Sequence, residues 1–426
     1  MDILVIGFAL FAMFFGAGNL IFPPMLGYAY GDQWLCASIA FTIVGVGLTL
    51  LTVVSMTKRN GNIFTFTSLA GDKLSKAIVL IIALCIGPLG AIPRTAATSF
   101  EMIKSAGFKV NILVFSLLFF GLSLFLSLAK NSVVDLIGKF LTPLLLVSLL
   151  IMIIIGIINP IGDIKNIDLV TSKIFSVSMV EGYNTMDVLA ALAFTPIIID
   201  SLIKKGYKNQ LLKKTIQASL IAVFGLAFVY VSLTFLGASA SKSIDTDSRV
   251  ILLNFVSDKI LGSNGKFVLV IAIIMACFTT SIGLISSISN IFTEFSNNKL
   301  DYKLIAWLIA IVSLLLSVLG VESIVKLTGP FLQFVYPLAI LLVVFNLIDK
   351  EKIHKLVIRN SFIVVTLVSF IDALISFIKI LSQIFKINSL VLLRLGNFLL
   401  DIIELVSLNI VEFPWLFPLL LTMFLT

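Results

Sequence analysis

The chain has 426 residues, 59% of them hydrophobic and 12% charged, with a formal net charge of +8. Soluble domains average roughly 45 to 50% apolar and about 25% charged residues, so a soluble fold is excluded. The positive charge does not mark a nucleic-acid partner, because Lys and Arg lie in short clusters between apolar runs and never form a groove-sized patch.

Long apolar runs without period-two alternation exclude a transmembrane β-barrel and leave an all-α polytopic membrane protein. At about 35 residues per crossing and loop, the chain makes about twelve transmembrane helices. It reads as one transmembrane domain over residues 1–426, with no soluble domain. Spans are predicted near residues 3 to 31, 34 to 56, 77 to 102, 111 to 129, 133 to 158, 176 to 203, 215 to 237, 265 to 292, 304 to 320, 327 to 347 and 360 to 380. After Lys379, an interfacial helix near 388 to 412 is expected to feed a short last span from Phe413. Met1-Asp2 offers no basic segment before the first apolar run, so that run reads as a retained helix and not a cleaved signal.

The first span is too long for one straight crossing and carries Phe15-Gly16-Ala17-Gly18-Asn19 in its middle. A break over Gly16 to Asn19 is expected, since glycine costs about 1 kcal/mol per helical position relative to alanine. An unwound turn there aims amides, at the positive end of the next half-helix, toward an anion such as a carboxylate. A small-residue packing face or a simple kink is the alternative.

In the third span, Gly87-Pro88-Leu89-Gly90-Ala91-Ile92-Pro93-Arg94 sets a cation deep in the bilayer. Glu101, Glu181 and Asp187 are its candidate partners; snorkelling is the alternative. Near the start of the sixth span, Glu181-Gly182-Tyr183-Asn184-Thr185-Met186-Asp187 forms a second interruption. Interrupted segments at matching places in oppositely oriented halves point to an inverted-repeat transporter with a midplane site. The repeats are expected over about 3–158 and 176–347, with extra C-terminal helices over about 356–426. Glu181 and Asp187 are either embedded functional groups or solvated loop carboxylates.

The eighth span holds Ala276-Cys277-Phe278-Thr279-Thr280-Ser281. Hydroxyls and freed carbonyls are hard oxygen ligands suited to a small alkali cation, although such hydroxyls commonly bond back to their own helix. The tenth span, with Pro330 and Tyr336-Pro337, is expected to kink and help gate the pathway. Cys36, Cys85 and Cys277 lack metal or disulfide spacing. The single histidine, His354, falls in a loop, and no HExxH or GxSxG motif occurs, so an enzyme is not expected.

Basic residues in alternate loops set the orientation. Lys58, Arg59, Lys73, Lys76, Lys130, the Lys204–Lys214 cluster, Lys299, Lys303, Lys350, Lys352, Lys355 and Arg359 outnumber those of the other set two to one. The other set includes Lys104, Lys165 and the charge-balanced Lys242 to Lys259 loop. The N-terminus is therefore expected in the cytoplasm.

Together, Phe15 to Pro24, Gly87-Pro88 with Ala91 to Arg94, Glu181-Gly182-Tyr183 with Thr185-Met186-Asp187 and Leu192-Ala193-Phe194, and Pro330 to Pro337 resemble the bacterial branched-chain amino acid:cation symporters of the BrnQ type. The resemblance runs from residue 5 to about 350. It implies a LeuT-like five-plus-five inverted repeat with discontinuous helices 1 and 6, in the plasma membrane of a bacterium, importing leucine, isoleucine and valine with sodium or, in some members, protons.

It further implies that Gly16, Ala17 and Gly18 hold the substrate carboxylate and that Asn19 braces the turn or a cation. From the second interruption itself, Glu181, Gly182, Tyr183 and Asn184 are expected to complete the substrate site, and Glu181 and Asp187, without a counterpart in the simplest sodium-coupled relatives, keep proton coupling open. Carbonyls of Ala12, Phe15 and Ala276 with hydroxyls of Thr279 and Thr280 resemble a sodium cage. Arg94 and Asp187 are gating or coupling candidates. No cofactor beyond the coupling ion is expected. A channel or receptor sharing the fold is the remaining alternative, and gradient-driven accumulation separates them.

Overall fold

The computed structural model describes residues 2–129, 142–348, 354–385 and 398–425, except 402, 404–406 and 408–411. Lys130, Lys350, Lys352 and most of the expected interfacial helix over 388 to 412 lie outside the described residues, as does the start of the fifth predicted span. Among the described residues the architecture is helical, with seven stretches long and apolar enough to cross a bilayer and five shorter apolar helices.

The first crossing is broken into α1 (Asp2–Phe14) and α2 (Ala17–Tyr30). The second runs as α3 (Trp34–Thr42), a π-helical turn over Ile43–Leu48, and α4 (Thr49–Lys58). After the short α5 (Ile63–Thr67), the third crossing also proves to be two helices, α6 (Asp72–Ile86) and α7 (Ala91–Ser105). Gly87-Pro88-Leu89-Gly90 separates them, so the prolines predicted to lie inside one helix instead help end one and start the next. Then come α8 (Ile112–Leu128) and α9 (Thr142–Ile158).

The sixth crossing starts at Thr171, earlier than predicted, so its interruption lies mid-segment and not near the start. It comprises α10 (Thr171–Glu181), a 3-10 turn over Gly182–Thr185, and α11 (Asp187–Lys204). Next are α12 (Leu211–Ser239) and α13 (Arg249–Phe295). The segment around Lys259, predicted as loop, is helical. It joins the eighth crossing through Gly262, whose φ of 67° and ψ of −177° turn the chain between two helical parts, a conformation open to glycine alone at little cost. The chain continues through α14 (Tyr302–Ser317), α15 (Val321–Leu347), α16 (Lys355–Phe385) and α17 (Leu416–Leu425). Helix α15 remains one helical element with Pro330 and Pro337 inside it.

Burial confirms lipid as the solvent. On α8, Leu117, Leu118, Leu122 and Phe125 are exposed while Ser116, Ser123 and Ser127 are buried, the reverse of a water-soluble helix. The inward hydroxyls bind neighbouring helices: Ser116 Oγ lies 3.0 Å from Ser317 Oγ, Ser127 donates to the Ile282 carbonyl at 3.2 Å, and Tyr302 donates to the Ser127 carbonyl at 2.9 Å. Small hydroxyl side chains serve this role where lipid supplies no hydrophobic drive between helices.

Contacts between loops gather at two ends of the bundle. At one end Arg59 Nε donates to Asn346 Oδ1 at 2.6 Å and Asn62 to Glu294 at 2.7 Å. At the other, Gln33 donates to the Leu169 carbonyl at 2.8 Å and Arg249 pairs with Glu322 at 2.5 Å.

Candidate functional site: the two helix breaks

The first break is shorter than expected. Only Phe15 and Gly16 leave the helix, and Ala17, Gly18 and Asn19 form the first turn of α2. Asn19, at the third helical position, reaches back so that its Oδ1 accepts from the Gly16 amide at 3.2 Å. This local bond is an alternative to unwinding, in the manner of a capping box. The amides of Ala17 and Gly18 belong to the first turn and have no intrahelical acceptor, while the last carbonyls of α1 have no intrahelical donor.

At the second break the chain turns through Met186, a non-glycine residue at φ 64°. Such backbone costs of order 1–3 kcal/mol and persists where its surroundings enforce it. The turn delivers Asp187 as the first residue of α11, where a carboxylate meets the positive end of the helix. Gly182 is pressed against the π-helical turn of the second crossing: a Cβ there stands 2.9 Å from Val44 Cβ. Asn184 donates to Glu181 Oε2 at 2.9 Å. Glu181 is half-buried at the rim, and Asp187 is fully buried at 1% exposure, which removes the solvated-loop reading for Asp187.

The two breaks are tied directly to each other. Asn19 Nδ2 lies 2.9 and 2.8 Å from the two Asp187 oxygens, and the Tyr230 hydroxyl of α12 donates to Asp187 Oδ2 at 2.5 Å. Asn19 Nδ2 also contacts the Tyr230 hydroxyl. Tyr230 was not among the residues expected. Its ring packs edge-on to Phe41 at 5.3 Å, and its only signal in the sequence was a phenol inside an apolar span, where a buried hydroxyl requires a partner. Tyr230→Phe keeps that ring contact and removes one donor from a buried carboxylate. The expected cost is about 1–3 kcal/mol, read as a lower Tm of the purified protein, and an unchanged Tm would show the bond to be dispensable.

Arg94, 3% exposed, takes none of the three carboxylates the sequence offered. Nη1 donates to the Asn184 carbonyl at 2.7 Å and Nη2 to the Thr185 carbonyl at 3.4 Å, both freed by the second break. Glu101 instead accepts from the Val321 amide at 2.9 Å. Tyr183 stacks on Tyr336 at 4.3 Å and 19°, forming an aromatic wall between the second break and α15.

The hydroxyl cluster of α13 meets the end of α1. Thr279 Oγ1 lies 3.1 Å from the Ala12 carbonyl and 2.8 Å from that of Ala276. Thr280 Oγ1 bonds the Met13 carbonyl at 3.2 Å, so Met13 joins the oxygen set and Phe15 makes no bond to either threonine. The donor set is all oxygen, mixing carbonyls and hydroxyls without a carboxylate, which suits a hard monovalent cation.

The profile of the family described as branched-chain amino acid transport protein matches residues 1–426. The chain belongs to that family. Its relatives include the branched-chain amino acid permease BraB of Bacillus subtilis, 35% identical over 82% of this chain and 80% of that one. Among solved structures, a nucleobase-cation-symport-1 family transporter in a closed conformation with bromovinylhydantoin bound is similar at a TM-score of 0.64. It has 14% identity and covers 99% of this chain and 90% of its own. A Na+-coupled sialic acid symporter in a substrate-bound outward-open state is similar at 0.60, also at 14% identity, covering 86% of this chain and 83% of its own. The likeness to these structures shows a shared transporter fold. Members of the family are named as carriers and permeases of branched-chain amino acids and not for catalysis.

Proposed function

We propose that this chain imports leucine, isoleucine and valine across a bacterial plasma membrane by symport with Na+, through alternating access. The observation that supports this most is the meeting of Thr279 and Thr280 with the freed carbonyls of Ala12 and Met13, one turn below the free amides of Ala17 and Gly18. A cation in the first place and a carboxylate in the second bind at the two ends of one break, and each favours the other electrostatically.

The substrate carboxylate rests on the start of α2. Its ammonium takes carbonyls exposed at the two breaks, and its aliphatic side chain lies toward the wall of Tyr183. With the N-terminus in the cytoplasm, the loop carrying Lys58 and Arg59 faces inward. That end also holds a cavity of about 260 Å³ between the Asn60–Asn62 loop, Pro196 and Asp200 of α11, and Asn290 and Glu294 of α13, in line with a route to the cell interior. One monovalent cation moving through 100 mV releases about 2.3 kcal/mol, enough for more than tenfold accumulation.

Proton coupling is the second reading, favoured by the carboxylate of Asp187 buried between Asn19 and Tyr230. Uptake of radiolabelled leucine into proteoliposomes, with sodium, proton and potassium gradients imposed one at a time, decides between them. Accumulation driven by the sodium gradient is expected; equilibration without accumulation would indicate a channel. Thr279→Ala and Thr280→Ala each remove an oxygen ligand and are expected to raise the sodium concentration for half-maximal uptake about tenfold or more, one charge-assisted contact being worth about 1.5–3 kcal/mol. Unchanged sodium dependence in both variants rejects the cation site.

A further inference from the structure

A guanidinium 3% exposed inside a membrane protein calls for an anion. Among the described residues no carboxylate lies within ion-pair distance of Arg94. The nearest acidic group along the second break, Asp187, is already occupied by Asn19 and Tyr230. The bonds Arg94 does make are unequal. Nη1 is well held by the Asn184 carbonyl at 2.7 Å, but Nη2 reaches the Thr185 carbonyl only at 3.4 Å, and Nε has no partner although fully buried.

One edge of the fork is thus underused, since Nε is unpartnered and Nη2 has a second N–H beyond its long bond to Thr185, and the Nε–Nη2 edge is the one that grips a carboxylate through two parallel bonds. Its position is specific. A Cβ placed on Gly18 stands 2.8 Å from Nη2 and 3.2 Å from Cζ, so the guanidinium sits directly against the first turn of α2. The ring of Phe22, 5.5 Å from Cζ, covers part of the group. A buried cation with an underused edge and the unsatisfied amides of a 14-residue helix therefore converge on one small region.

We propose that Arg94 is the carboxylate receptor of the transport site: its Nε and Nη2 edge, beside the α2 amides of Ala17 and Gly18, binds the α-carboxylate of the amino acid. This rests on the transport reading above and adds to it a charged side chain contributed by the third crossing. The break at Gly87 to Gly90 acquires a purpose as well, since α7 begins only at Ala91 and so sets Arg94 in its first turn, level with both other breaks.

The test measures binding of tritiated leucine to the purified full-length protein, displaced by unlabelled L-leucine or by L-leucinamide, which keeps everything but the carboxylate charge. Wild type is expected to bind leucine at least about 100-fold more tightly than leucinamide, in the range for leaving a buried charge unpaired. Arg94→Gln is expected to lose about that factor for leucine while leucinamide changes less than threefold. Arg94→Lys, which keeps the charge but not the fork, falls between them.

A role in holding the fold alone would weaken both ligands alike in the variants, and that result overturns the assignment. Equal displacement by leucine and leucinamide on wild type overturns it without any variant. Failure of wild type to bind leucine at all overturns the transport reading together with the assignment, whereas leucine binding with unaltered discrimination in Arg94→Lys overturns the assignment alone.

Discussion

Gly237→Leu is expected to yield no monodisperse folded protein. Helices α2 and α12 approach so closely at this point that a Cβ on Gly237 runs into the backbone of Pro24, and one on Gly27 runs into the backbone of Thr234. The obstacle on each side is main chain, which cannot rotate aside as a side-chain tip can. A leucine therefore forces the two helices apart over their contact length, opening voids around Leu20, Leu26 and Leu233, all buried. Overpacking inside an ordinary core costs about 1–3 kcal/mol. Separating two backbones in contact belongs to the exceptional class above about 4–5 kcal/mol, comparable with a total stability of about 5–15 kcal/mol. Size-exclusion chromatography in detergent provides the measurement. Gly121→Leu on the lipid face of α8, where an added Cβ meets nothing within 4 Å, is the control and is expected to elute as wild type. A normal profile for Gly237→Leu would show the close approach to be unnecessary.

Gly18→Leu is expected to abolish leucine binding while leaving the protein folded. The atoms an added Cβ meets first are the Arg94 guanidinium at 2.8 Å and the Asn184 carbonyl at 3.4 Å. The guanidinium is the far end of a flexible side chain and moves away at little cost, so the fold survives. The region it vacates fills with an isobutyl group. That group covers the α2 amides and displaces the cation, removing both groups offered to a carboxylate. An affinity loss beyond about 100-fold is expected, from one buried charged contact with its neighbours. Gly18→Ala adds only the Cβ and is expected to weaken binding by a smaller factor. Retained leucine affinity in Gly18→Leu would reduce the first break to a simple kink.

Features carried by a run of neighbouring residues were legible in the sequence. Both breaks announce themselves through glycine and polar residues inside apolar segments, and Thr279 and Thr280 stand out as hydroxyls in an apolar helix. Features that depend on the far side of a contact were not. Tyr230 lies 43 residues from Asp187 and 211 from Asn19, and nothing near it in the chain specifies either partner.

Charge is visible in a sequence and points Arg94 to carboxylates, whereas the carbonyls of Asn184 and Thr185 are available only because the helix breaks. The gap at Gly87 to Gly90 has its signal in the residues, because Gly-Pro-Leu-Gly puts two glycines and a proline within four positions, enough to end one helix outright. The segment around Lys259 is helical where a loop is expected for a related reason. Charged residues there fit solvent-exposed irregular chain, yet a helix carries them as well, and Gly262 supplies the corner that joins it to the eighth crossing.

The partner of the severed first crossing is a single uninterrupted rod. Helix α12 lies along α2 through Gly27 and Gly237, and along α1 through Gly7, opposite Ile221, and Phe11, opposite Gly225. It works as a splint laid over a fracture: the two fragments stay aligned although no helical bonds join them, and the gap is held open at almost no entropic cost. Neither fragment can swivel by itself without levering off the splint. The fragments and their splint are therefore one block, and Asp187 of the second broken crossing is pinned to that block through Asn19 and Tyr230.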